Sequence, residues 1–322
     1  MPLAERKLID RIRRLVPPGK GPLIRGIGDD GAVLRVSSGY DLLVTTDFYI
    51  EDVHFRTQWH PPQSVGHRCL ARGLSDIAAM GGEPVACFLS LALPARLPQA
   101  WVDGFLHGLT RLARRFKVQL AGGDVSSARN ITADIMVIGQ VPAGKAVLRS
   151  GAKAGDRIYV TGELGGSAAL LERLYDRKRV RPSGSSRHFY PQPRIEVGRR
   201  LSRQGLATAM IDLSDGLSVD LNHICNESRV AATIRAAAIP LAPGAELKHA
   251  LHGGEDYELL FTASAKAKVP AEIAGVQVTE IGVIGRQKDY RAVIQILNEN
   301  GRTQALLPKG WQHFARTIES TA

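Results

Sequence analysis

The chain has 322 residues, 44% of them hydrophobic and 23% charged, with a formal net charge of +11. That length suits two domains with real cores. No apolar run is long enough for a membrane span, the charges at Glu5, Arg6, Lys7 and Asp10 break any signal-peptide core, and Cys69, Cys87 and Cys225 lack the spacing of a disulfide framework or zinc site.

The residues from Met1 to Val16 have the spacing of an amphipathic helix. Ala32 to Val36 and Asp41 to Thr46 read as strands joined by a tight connection at Ser37 to Gly39, which puts Asp47 at a strand end. Val65 to Met80 is apolar at helical spacing, so Asp76 lies on a helix that stops at Gly81-Gly82. A strand over Val85 to Leu93, a helix over Gln99 to Phe116 and a short strand over Val118 to Ala121 lead into Gly122-Gly123-Asp124. Ile131 to Val141 alternates as a further strand.

The turn-rich stretch from Ser150 to Asp156 marks a domain boundary, giving domains over 1–148 and 149–322. Beyond it the pattern predicts strands at Arg157 to Thr161, Ala209 to Asp212, Leu259 to Thr262 and Val278 to Ile284. Helices are predicted at Gly166 to Tyr175, Pro193 to Arg203 and Gly216 to Glu227, with a flexible loop at Ser183 to Ser186. Ser75-Asp76 and Gly122-Gly123-Asp124 are echoed by Ser214-Asp215 and Gly253-Gly254-Glu255-Asp256, a faint sign of duplication.

The basic residues cluster at Arg11 to Arg14, Arg111 to Arg115, Arg177 to Arg181 and Arg199-Arg200. Interleaved with Leu and Ala at helical spacing, they read as solvated helix faces, and no nucleic-acid-binding motif accompanies them. Gly26-Ile27-Gly28-Asp29-Asp30-Gly31 has the letters of a dinucleotide fingerprint, but it precedes a strand, and its aspartates would repel a bare pyrophosphate. Gly139 to Ala146 nearly spells a P-loop but lacks the closing hydroxyl and a following helix.

The informative feature is the recurrence of acids in Gly, Ser and Thr contexts: Gly28-Asp29-Asp30, Thr45-Thr46-Asp47, Ser75-Asp76, Gly122-Gly123-Asp124, Asp212-Leu213-Ser214-Asp215 and Gly253-Gly254-Glu255-Asp256. Singly, such residues serve turns and caps, and Ser214 or Asp215 reads equally well as the cap of the next helix. Together they supply the hard oxygen ligands that magnesium takes, with room for phosphate oxygens.

These segments carry a resemblance. With Val53-His54-Phe55, Leu74 to Met80, Arg149 to Lys153, Ile211 to Gly216, Gly253 to Leu259 and Gly310 to Phe314, they run in the order of the thiamine-monophosphate kinase family, within the aminoimidazole ribonucleotide synthetase superfamily. The resemblance implies an α/β fold of the α+β type in two domains, the N-terminal sheet pairing with that of a second subunit in a homodimer. It also implies ATP as co-substrate in the cleft and several Mg²⁺ ions.

By motif position, Asp30, Thr45, Thr46, Asp47, Asp76, Asp124, Asp212 and Asp215 would be magnesium ligands. Gly123, Arg149 and Ser214 would contact ATP, and His54, Glu255 and Trp311 the substrate. The chain departs from the family pattern at Val125, where Thr is common, and at Asp52, where Gly is common.

The reaction implied is ATP-dependent conversion of thiamine monophosphate to thiamine diphosphate in the cytoplasm, without a nucleic-acid or membrane partner. Its acceptor is already an ionised phosphate oxygen, so no residue is assigned as general base, and direct in-line transfer is expected from positioning and charge neutralisation. Arg149 could grip phosphate as a fork, and Trp311 could stack on the substrate rings. A nucleic-acid-binding protein, a two-metal phosphohydrolase and the sister synthetase are the alternative readings. The absence of a cysteine near either terminus argues against the hydrogenase-maturation and selenophosphate-forming relatives.

Overall fold

The computed structural model describes residues 2–3, 5–15, 22–27, 32–177, 180, 182–183, 186–287 and 294–310. Asp30 and Trp311 lie outside the described residues, as does part of the Ser183 to Ser186 loop.

Helix α1 (Glu5–Leu15) precedes a small antiparallel pair, β1 (Leu23–Arg25) and β2 (Val33–Leu34). A four-stranded sheet follows, made of β3 (Tyr40–Ile50), β4 (Glu83–Leu93), β5 (Gln119–Ser127) and β6 (Thr132–Pro142), with α2 (Pro62–Ala79) and α3 (Gln99–Phe116) packed against it. Its order is β3-β6-β4-β5, and only β4 and β5 run parallel.

The second half begins with β7 (Arg157–Thr161), α4 (Gly166–Tyr175), α5 (Ile195–Arg203), β8 (Ala209–Asp212) and α6 (Leu217–Ser228). It continues with β9 (Val230–Arg235), α7 (Leu247–His252), β10 (Leu259–Ala263), β11 (Glu272–Ile273), β12 (Val276–Arg286), β13 (Ile294–Leu297) and β14 (Thr303–Ala305). The sheet order is β14-β13-β9-β12-β7-β10-β8, with β11 added on β12. The expected α/β fold is present, with one large sheet in each half of the chain, and residues 148 and 149 lie in the connection between β6 and β7.

Helix α2 is the element that joins the halves. Pro62 opens it, where a missing amide costs nothing, and Gly81 at φ +73 ends it in the left-handed region. It is buried on nearly every side, as expected of a helix between two layers. One side meets α3 so closely that a Cβ on Gly66 would lie 1.9 Å from the Phe105 carbonyl oxygen. The same apolar core takes in Leu70 and Leu74 of α2 and Met210, Leu259 and Phe261 of the second sheet.

Two strands outrun the sequence reading. β3 continues through Phe48, Tyr49 and Ile50 because eleven residues pair in register with β6, so Asp47 lies within a strand and not at its end. β5 runs on through Gly122-Gly123-Asp124 to Ser127, paired with β4. Gly123 has φ +146, and a Cβ there would stand 1.8 Å from the Leu89 carbonyl oxygen, so this glycine is required by strand packing alone. A third difference concerns α6: neither Ser214 nor Asp215 caps it. The Asp220 carboxylate folds back to accept the amides of Ser214, Asp215 and Gly216 at 3.0–3.2 Å.

Candidate active site

A cavity of about 770 Å³ lies between the two halves. β3 contributes Asp47, α2 contributes Asp76, the end of β8 and its following turn contribute Asp212, Ser214 and Asp215, and the loops after β3 and α7 contribute His54 and Glu255. These seven predicted positions share one cavity although they span some two hundred residues of chain. Thr45 joins them by donating to Asp76 Oδ2.

Strand alternation separates the rest. Thr45 and Asp47 face α2, whereas Thr46 points to the opposite face of the sheet, where it donates to Asp134 Oδ1 at 2.6 Å. Asp124 is exposed, and its carboxylate accepts the neighbouring Val125 amide at 2.8 Å. Arg149 is also exposed, and its charge acts on Asp212. Thr46, Asp124, Gly123 and Arg149 therefore lie outside the cavity lining.

The gathered carboxylates are electrostatically uncomfortable. Burial, then the charges of Asp212 and Asp47, push the Asp76 carboxyl up. Burial likewise raises Asp212, opposed by the Ser75 hydroxyl, which donates to its Oδ2 at 2.7 Å, and by Arg149. Like charges held out of water call for a counter-charge, and the oxygen-only donors fit magnesium. Among the described residues no three His, Cys, Asp or Glu side chains form a closed metal cage. Magnesium needs none, because it takes one or two carboxylates and completes its octahedron with water and phosphate oxygens.

The segment from Gly253 to Leu259 is anchored residue by residue. Glu255 and Tyr257 hold positive φ values of 64° and 52°, and their amides bond to the carbonyls of Ser214 and Leu213 at 2.8 and 2.9 Å. Asp256 accepts the amide of Gly165 at 2.7 Å, and Glu258 accepts from Arg194 Nε and Thr161 Oγ1 at 2.6 Å each. Glu255 faces α2, where Arg68 Nη2 donates to it at 2.5 Å. Burial alone would raise the Glu255 carboxyl, but Arg68 and Arg72 hold it below its ordinary value.

Arg68 and Arg72 were not singled out from the sequence. The signal was present: 68, 72 and 76 are spaced by four and share one face of the helix. Arg68 is fully buried, with Nε on Tyr49 Oη at 2.6 Å and Nη1 on the His188 carbonyl. His54 Nδ1 accepts the Ile50 amide at 3.0 Å, so its neutral ring carries the proton on Nε2.

The far end of the cavity is aromatic and basic. The Arg56 guanidinium sits 4.5 Å over the Trp59 ring, which meets Tyr175 edge-on at 4.9 Å. Behind them, His188 Nε2 and His60 Nε2 are 3.0 Å apart, and Ser167 Oγ lies 2.9 Å from His188 Nδ1. Burial lowers both histidines, His60 to about 4, and keeps the pair neutral at ordinary pH.

Two family models match the chain: AIR synthase related protein, N-terminal domain, over residues 28–141, and AIR synthase related protein, C-terminal domain, over residues 153–302. A thiamine-monophosphate kinase of Bacillus subtilis is 37% identical over 308 residues, covering 90% of this chain and 93% of that relative. The solved thiamine-monophosphate kinase of Stenotrophomonas maltophilia superposes with a TM-score of 0.81 at 34% identity, over 92% of this chain and 97% of that one. A structure described as AaThiL complexed with AMPPCP and TMP superposes with a TM-score of 0.76 at 32% identity, over 97% of each chain.

Proposed function

We propose, from the premise that this chain belongs to the AIR synthase related family and within it to the thiamine-monophosphate kinases, that it phosphorylates thiamine monophosphate with ATP to give thiamine diphosphate and ADP. The observation that carries the reading is the gathering of Asp47, Asp76, Asp212 and Asp215 with His54 and Glu255 around one cavity between the halves. The fold-level relative complexed with AMPPCP and TMP supports the choice of substrates.

In this mechanism a phosphate oxygen of thiamine monophosphate attacks the γ-phosphorus of ATP. A new P–O bond forms, the bond from Pγ to the bridging oxygen breaks, and its electron pair stays on the β-phosphate of ADP. The acceptor oxygen is already ionised near neutral pH, so no side chain has to remove a proton, and no phosphoenzyme is formed. The chemistry that magnesium supplies when bound is neutralisation of the phosphate charge.

Asp47, Asp76, Asp212, Asp215 and Thr45 would hold the metal in the cavity. Asp30, Thr46 and Asp124 belong to the proposed ligand set by motif position, Thr46 and Asp124 lying outside the cavity lining. Gly123, Arg149 and Ser214 would take the nucleotide, and His54, through Nε2–H, together with Glu255 and Trp311 would take the acceptor.

A homodimer belongs to this reading. β3 is the edge strand of its sheet, and Val44 and Phe48 on its outer face are 61% and 62% exposed. A long edge with exposed apolar residues is covered in stable proteins, and a second copy of the same sheet would cover it. Among the described residues no helix is long and apolar enough to cross a membrane.

The test is product chromatography after incubation with ATP, Mg²⁺ and thiamine monophosphate, with reactions lacking acceptor or metal in parallel. Equal amounts of thiamine diphosphate and ADP, formed only in the complete mixture, are expected. Phosphate release without the acceptor would instead favour a phosphohydrolase or the sister synthetase.

A further inference from the structure

Arg68 and Arg72 stand one helical turn apart on α2, yet they are held very differently. Arg68 is 0% exposed, and its Nε, Nη1 and Nη2 each have an acceptor, at 2.6 Å to Tyr49, to the His188 carbonyl, and at 2.5 Å to Glu255. Arg72 is 17% exposed and lines the cavity, and its contacts are long: 3.2 Å to Tyr257 Oη, 3.4 Å to Asp47 Oδ1 and 3.7 Å to Glu255 Oε1. Its Nε is buried without any hydrogen-bond partner. A planar fork with five donors is matched by a tetrahedral oxyanion, which can accept two parallel bonds at once.

We infer that Arg72 is a catalytic residue whose guanidinium grips a non-bridging oxygen of the phosphoryl group in transfer. The inference rests on the proposed kinase function. Its location supports it: Arg72 lies between Asp47, on the side of the proposed metal ligands, and Glu255, on the side of the proposed acceptor site. The other cavity arginine, Arg56, is stacked on Trp59 at the far end.

At 3.4 and 3.7 Å Arg72 offsets the charges of Asp47 and Glu255 only loosely, so it loses little by turning to a phosphate. As the bond from Pγ to the bridging oxygen breaks and the new P–O bond forms, the charge on the equatorial oxygens is what a fixed guanidinium stabilises. No proton leaves the arginine, because a guanidinium stays charged throughout the accessible pH range.

The test compares wild type with Arg72→Lys and Arg72→Ala. Wild-type formation of thiamine diphosphate is measured first, and its absence would overturn the kinase function and not the role of Arg72 within it. With active wild type, the expected result for Arg72→Ala is a fall in kcat of about 10³-fold, the lower range for arginines that contact a transferring phosphoryl group. Guanidinium ion at a sub-denaturing concentration should partly restore turnover.

Arg72→Lys keeps the charge but not the fork, and is expected to lose at least about tenfold in kcat while its thermal midpoint stays near wild type. A merely structural Arg72 would not respond to added guanidinium. Wild-type kcat in the folded lysine variant, or a loss in the alanine variant that guanidinium leaves unchanged, would overturn the assignment.

Discussion

Ser75 on α2 donates a 2.7 Å hydrogen bond to Asp212 at the end of β8, joining the two halves of the chain at the floor of the cavity. Both residues are buried, so the bond holds a carboxylate that burial alone would tend to protonate. Ser75→Ala is expected to destabilise the protein by about 1.5–3 kcal/mol, the range for a hydrogen bond to a charged group. Urea unfolding measures this, and a magnesium titration of activity should show weaker apparent affinity. A variant that matches wild type in both would show that Asp212 does not depend on Ser75.

Arg68 is buried against Glu255, Tyr49 and His188 and carries much of the attachment of the Gly253 to Leu259 segment to α2. Arg68→Met removes the close partner of Glu255 and leaves it only the 3.7 Å contact with Arg72, so the expected cost approaches the about 3–5 kcal/mol of a broken buried pair from below. Adding Glu255→Gln should recover part of the loss. A double-mutant cycle by chemical denaturation checks this, and additive effects would contradict a coupled pair.

The carboxylates supply a pH dependence. Burial and its acidic neighbours raise Asp76 from 3.8 to about 8 in the folded, metal-free protein. A group whose pKa is raised on folding contributes stability that is fully present below its unfolded value and is lost as pH rises through the folded value. Asp76→Asn carries no such group. Without metal, its melting temperature relative to wild type should therefore rise between about pH 4 and pH 8. Magnesium should reverse the order in favour of wild type at the alkaline end. Parallel melting curves at a series of pH values, with and without Mg²⁺, decide the matter.

The β3 edge gives a prediction about assembly. Phe48→Asp places a charge on the exposed face of the edge strand without touching the buried face of Leu43 and Tyr49. Light scattering is expected to show a dimer for wild type and a monomer for the variant, with helix and strand content unchanged. A variant that remains dimeric would move the interface away from β3.

Much of the fold was legible locally. Helices α3 and α4 and strands β7 and β8 have the bounds that their periodicity predicts, because each presents one apolar face or run to a core. The short elements were not legible: α7 has six residues, β14 has three, and β13 is held as a strand by parallel pairing with the distant β9. β5 was cut short at Ala121 because glycine is a poor strand former. The close approach of β4 overrides that preference and makes Gly123 necessary.

The sequence by itself determined the family and the kind of side chains available to the site. Recurrent carboxylates beside Gly, Ser and Thr, in family order, pointed to phosphate chemistry and to the hard-cation ligands proposed above, because ligand type follows from side-chain chemistry. Only the tertiary structure decided which of those groups meet. The period of two in β3 sends Thr45 and Asp47 to one face and Thr46 to the other, and the sandwiching of α2 brings Asp76 within reach of Asp212. The same packing turned Arg68 and Arg72, unremarkable in a basic chain, into one buried and one cavity-lining charge with unequal partners, since burial and pairing depend on contacts between residues up to 187 positions apart.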